Sequence, residues 1–263
     1  MITAGPAGER TPGRSTETQG RRSVKHLVAY VAENRQGLHD ASGAFVPMAR
    51  EYIGHWGRED CEVFPITTIG KGTASARRWQ FSALCDKLAD EGRQFDAFAF
   101  FGHGTFYSIQ LGYQRQHVGE LASALSIVLK AHSKCILYAC STAENDVKDN
   151  RVDDLGAASA GGFADKLRSS LVEIGLDCDV FGHKTAGHTV FNPYWARFSA
   201  DCASVGGEWV IRPRSEYWEE WKLALKSSEL AFEFPWYSRA ALREWLTEYA
   251  HQKKIDAYTG YDS

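Results

Sequence analysis

The chain has no apolar run long enough to cross a bilayer, and its first residues lack the apolar stretch of a secretion signal. It has no polybasic block and no excess of one charge: 30 Lys and Arg stand against 33 Asp and Glu, for a net charge of −3. That balance leaves no electrostatic footprint for nucleic acid or for an anionic membrane. The cysteines, Cys61, Cys85, Cys135, Cys140, Cys178 and Cys202, are dispersed, without a CxxC pair or the density of a small disulfide scaffold. Reduced thiols and a cytoplasmic location are the expectation. There is no EF-hand spacing, no internal repeat, and no low-complexity segment beyond the first residues. What is present is a chain of 263 residues, enough for one large α/β domain with a sizeable core.

Residues 1–22 have few apolar side chains and many turn formers, and are expected to form a flexible tail. From Val24 onward the pattern alternates. Strands are expected at Val24–Ala32, Val63–Ile69, Phe95–Gly102, Cys135–Tyr138 and Cys178–Phe181. Helices are expected at Phe45–Trp56, Arg78–Asp90, Gly119–Ala131 and Gly162–Ile174. In the second of these helices Trp79, Leu84 and Leu88 are placed toward the sheet. Alternating strands and helices imply a mostly parallel sheet covered on both faces. From about Glu208 aromatics concentrate: Trp209, Tyr217, Trp218, Trp221, Phe232, Phe234, Trp236 and Trp245 lie in two expected helices separated by Phe234-Pro235. Aromatics at such spacing usually pack against a core, and the alternative use is a partner-binding surface.

Two strand ends carry the chemistry. One apolar run closes on His103-Gly104 and another on Ala139-Cys140, with room between them for a crossover helix. Parallel strands so connected deliver His103 and Cys140 to the same carboxyl edge of the sheet, where ligands bind in open α/β folds. A thiolate is a far better nucleophile than a thiol, and an imidazole can accept its proton and later protonate a leaving group.

The segments Phe100-Phe101-Gly102-His103-Gly104 and Leu137-Tyr138-Ala139-Cys140-Ser141 resemble the paired motifs of the caspase-like (clan CD) cysteine peptidases. Gly161-Gly162-Phe163-Ala164-Asp165 and Thr185-Ala186-Gly187-His188-Thr189 are similar to segments of bacterial and phage-borne members. The resemblance spans roughly residues 24–235. It implies a caspase-like three-layer α/β/α sandwich over residues 23–207, with an aromatic-rich helical C-terminal part, 208–263, packed on it. It also implies a cysteine endopeptidase in which Cys140 forms a thioester, His103 acts as general acid and base, and the N–H groups of Gly104 and Cys140 form the oxyanion hole. Tyr138-Ala139-Cys140-Ser141-Thr142 departs from the Gln-Ala-Cys-x-Gly signature of eukaryotic caspases, so an aspartate preference is not carried over.

Glu144, Asp146, Asp149, Asp153 and Asp154 form an acidic stretch after Cys140. The resemblance places such a loop at the substrate cleft, where it favours a basic residue before the cut and can be cleaved during activation. Tyr138, Asp146, His183 and His188 are the expected cleft residues. His183 and His188 are spaced so that a zinc site is conceivable, but the surrounding residues have no established ligand spacing. Neither metal nor cofactor is expected. His26, His55, His117 and His132 are expected to be ordinary helix or loop residues. The partner is a protein or peptide substrate. A catalytically silent interaction module that recruits a protein through its C-terminal part is the competing expectation, and a different thiol hydrolase or acyltransferase is a third.

Overall fold

The structure, a computed structural model, describes residues 23–32, 41–67, 73–144, 161–187, 190–200 and 206–258. The expected tail, residues 1–22, lies outside these. Strands β1 (His26–Val31), β2 (Cys61–Ile66), β3 (Phe95–Phe101), β4 (Leu129–Tyr138), β5 (Cys178–His183), β6 (Trp195–Phe198) and β7 (Glu208–Trp209) form a 7-stranded sheet in the order β2-β1-β3-β4-β5-β6-β7. The first five strands are parallel, while β6 and β7 add an antiparallel edge. Side chains of β3 explain its central place. All but Asp96 are buried, and Asp96 is satisfied by the Lys25 N–H and the Lys130 ammonium, each at 2.8 Å.

The helices are α1 (Phe45–Trp56), α2 (Ala74–Asp90), α3 (Val118–Ser126), α4 (Phe163–Glu173), α5 (Trp218–Ala224), α6 (Ser228–Glu233) and α7 (Arg239–Tyr258). Alternation along β3 sorts them into two layers. Phe98 meets Phe81 of α2, whereas Phe101 points to the other face and meets Tyr52 of α1. Helices α2, α3 and α4 pack side by side on the first face. On the second face α1 is joined by the C-terminal aromatics: Phe232 meets Tyr52, and Phe234 meets Phe181 and Trp195. The result is a three-layer α/β/α arrangement.

The C-terminal aromatics are therefore mostly core. Trp221 and Phe232 are fully buried, and Trp209, Trp218 and Phe234 nearly so. They complete the layer that α1 begins. The division expected at 207/208 falls between β6 and β7, two neighbouring strands of one sheet. A ladder of alternating charge, Lys134–Asp179–Arg197–Glu208–Arg239, runs across β4 to β7 and ends on α7, with Arg197 2.8 Å from Asp179 and Arg239 2.6 Å from Glu208.

Three expectations need correction. Helix α2 begins at Ala74, capped by the Thr73 hydroxyl, and buries Phe81, Cys85 and Leu88. Trp79 is 72% exposed and does not face the sheet. The third helix stops at Ser126, and Leu129–Ala131 belong to β4. Its neighbour His132 takes a left-handed φ of 60°, at a register shift against β3, and pairs with Asp177. His26 lies within the expected first strand and so is not a helix or loop residue; it is enclosed by Tyr52, Trp56 and Trp236, with its Nδ1 2.7 Å from the Tyr52 hydroxyl. Among the described residues no helix is long and apolar enough to cross a membrane.

Candidate functional site

Strands β3 and β4 are parallel neighbours with Phe101 paired to Tyr138, and their rings stack at 4.4 Å. His103 and Cys140 each lie two residues beyond this pair. They leave the sheet abreast, at its carboxyl edge, beside the switch point between β1 and β3 where the strand order reverses direction. The two loops then touch. A Cβ added at Gly104 would come within 2.8 Å of Ala139 Cβ and Thr142 Cγ2 and 3.0 Å of the Cys140 carbonyl oxygen. Only glycine permits that approach.

His103 opens a small hairpin. Gly104 bridges Ile109, and the flanking bonds are Gln110 N–H to His103 O at 2.9 Å and Thr105 N–H to Ser108 O at 2.8 Å. This bridge does not consume the Gly104 N–H. The Gln110 side chain also accepts the His103 N–H at 3.1 Å, so one residue grips the His103 backbone at both donor and acceptor. Phe45, the first residue of α1, stands edge-on to the imidazole at 4.9 Å. Its apolar wall limits where the ring can sit.

Cys140 lies in a tight turn held from three sides. Ser141 adopts a left-handed φ of 51°, a conformation that costs a non-glycine residue energy and needs support from its surroundings. That support comes from the backbone after β5. The Ser141 N–H donates to Thr185 O at 3.0 Å and the Ala143 N–H to His183 O at 2.9 Å. The start of α4 adds Ala164 N–H to Thr142 O at 2.9 Å. Gly182 of β5 leaves room for this turn, since a Cβ there would meet Thr142 Oγ1 at 2.6 Å. The Gly187 N–H donates to Cys140 Sγ at 3.3 Å.

Environment separates Cys140 from Cys61, Cys85 and Cys135. Burial pushes the Cys61 and Cys85 thiols up to about 12, holding them protonated and inert at neutral pH. Cys135 is raised by its hydrogen bond with Cys178, whose sulfur lies 3.5 Å away, and by burial. Cys140 is partly exposed at the strand end, with an N–H directed at its sulfur.

The remaining expected cleft residues fall differently. Tyr138 is fully buried, its ring between Phe101, Tyr52 and Trp195, and burial raises its phenol well above the ordinary value. It is a core residue and lines no cleft. His183 is also fully buried, with its ring 3.7 Å from Trp195. Its backbone carbonyl supports the Cys140 turn, and its imidazole does not face an opening. Asp146 and His188 lie outside the described residues. The open space beside His103 and Gly104 is a cleft of about 360 Å³ whose wall includes Arg77, Thr105, Gln110 and Gln114. Residue types alone did not single out Gln110, Phe45 or Arg77. Gln110 is one of several polar residues in a loop, while Phe45 and Arg77 are brought in by helices from elsewhere in the chain. Neither a known protein-family model nor a curated protein sequence matches this chain.

Proposed function

We propose that the chain is a cysteine endopeptidase of the caspase-like kind, with Cys140 as nucleophile and His103 as general acid and base. The observation that carries this reading is the contact of the two strand-end loops: register brings His103 and Cys140 out abreast, and Gly104 packs against the Cys140 turn. The Cys140 sulfur attacks the scissile carbonyl, and its proton passes to His103. The developing oxyanion is met by the N–H groups of Gly104 and Cys140. His103 then protonates the leaving amine, and water activated by the same imidazole hydrolyses the thioester. No step calls for a cofactor.

The expected preference for a basic residue rests on Asp146 and the acidic stretch around it, outside the described residues. Within the described wall of the cleft the permanent charge is Arg77, which favours an acidic or neutral side chain beside His103. The silent-module reading loses its main surface, because the C-terminal aromatics are largely spent on packing. The test is cleavage of a fluorogenic peptide library, with and without calcium, by the wild-type chain, Cys140→Ala and His103→Ala. Cleavage lost in both variants supports the peptidase, and its residue preference separates acidic from basic specificity. Absence of cleavage by folded wild-type protein, before and after proteolytic nicking, refutes it.

A further inference from the structure

We propose that Asn192 is a positioning residue that holds the Gly187 N–H on the Cys140 sulfur and thereby supports the negative charge that sulfur carries when it attacks. The inference rests on Cys140 being the nucleophile, but its geometry is independent of any substrate. Asn192 is only 8% exposed, and both ends of its amide are used. Nδ2 donates to Gly187 O at 2.8 Å and to Thr185 Oγ1 at 3.2 Å, while Oδ1 accepts the Tyr194 N–H at 3.1 Å. These bonds join Thr185 and Gly187, after β5, to Asn192 and Tyr194, before β6.

Gly187 has a φ of 137°, which disfavours an L side chain, and a Cβ there would lie 2.7 Å from Asn192 Nδ2. The peptide is thus pressed against Asn192 on one side and aims its N–H at Cys140 Sγ, 3.3 Å away, on the other. The same loop accepts the Ser141 N–H at Thr185 O, so it grips both the sulfur and the peptide that follows it. The Trp221 indole N–H donates to Pro193 O at 2.8 Å and anchors the residue next to Asn192 to the C-terminal layer. A donor aimed at sulfur is a stronger partner for the anion than for the neutral thiol. Fixing that donor therefore keeps it in place for the charge that builds on sulfur during attack.

The test follows iodoacetamide alkylation of Cys140 by peptide mass mapping, at about pH 7 and about pH 10, in wild type, Asn192→Ala, Gly187→Ala and the double variant. Far-UV circular dichroism checks the fold of each. Loss of one charge-assisted donor lowers the rate near pH 7 by about tenfold, while the rate near pH 10, above the ordinary thiol value of about 8.5, stays within about twofold. The double variant falls no further than either single one, because both break the same bond. Equal losses at both pH values, no loss, or additive losses overturn the proposal. If Asn192→Ala does not fold, Thr185→Val replaces it, with an expected fall of about threefold near pH 7 against an unchanged rate near pH 10. Since alkylation needs no peptide substrate, a protein that cleaves nothing can still pass or fail this test.

Discussion

Acidification should destabilise this fold through the buried imidazole of His26. His26 lies under Tyr52, Trp56 and Trp236, and burial lowers its pKa from 6.5 to about 3, outweighing the opposite pull of Asp96 and Asp60. The folded pKa is depressed, so the folded chain holds fewer protons than the unfolded chain between those values. Stability is therefore fully present above about pH 6.5 and is lost as pH falls toward about 3, at roughly 1.4 kcal/mol per unit. Between about pH 7.5 and about pH 5 the unfolded imidazole becomes almost fully protonated while the folded one stays neutral, a loss of about 2 kcal/mol. Urea unfolding at both pH values measures it. The comparison is with His26→Gln, which keeps a polar group near the Tyr52 hydroxyl but cannot titrate. Other titrating groups cancel in the difference. The variant should start less stable and lose about 2 kcal/mol less on acidification than wild type. Equal losses in the two proteins would refute the assignment to His26.

Gly104→Ala should keep its fold by circular dichroism and lose about a hundredfold in turnover, because the added Cβ drives the proposed oxyanion donor away from the Cys140 turn. Unchanged turnover would remove Gly104 from the mechanism. Trp221→Ala deletes a fully buried indole and should cost about 3–5 kcal/mol in urea unfolding; a cost near zero would mean that the C-terminal layer is not core. Glu208→Gln breaks the half-exposed charge ladder at Arg197 and Arg239, with an expected loss of about 0.5–1 kcal/mol that fades in about 1 M salt. Native alkylation near neutral pH should mark Cys140 ahead of Cys61 and Cys85, and labelling of Cys85 first would contradict the burial of its thiol.

Much of the parallel sheet was legible because its strands are short apolar runs bounded by turn formers. The expected runs at β1, β3 and β5 overlap the observed strands closely. Periodicity misled in α2, where Phe81, Cys85 and Leu88 follow the helical repeat and Trp79 sits well off their stripe. The end of α3 was hidden for a different reason. Ile127, Val128 and Leu129 continue an apolar pattern without Gly or Pro, and only pairing with β3 shows that the strand has begun. The antiparallel edge strands, four and two residues long, are too short to announce themselves. For the site, the His103 and Cys140 strand ends were readable because register follows from two matched runs. Tyr138 and His183 were misplaced because strand side chains alternate between core and edge, and a motif does not say which way each one points. Gln110 holds the His103 backbone and Asn192 the Gly187 backbone, roles that residue type does not advertise.

The stacked rings of Phe101 and Tyr138 act as a locating pin between two rails. A slip of one residue would advance one rail by about 3.3 Å and turn its side chains to the opposite layer. Intermediate positions have nowhere to put either aromatic ring. The alignment of the two strand ends that carry His103 and Cys140 is therefore an all-or-none property of the sheet, insulated from gradual drift in the surrounding loops. Those loops can change length and charge while the pin keeps His103 and Cys140 abreast.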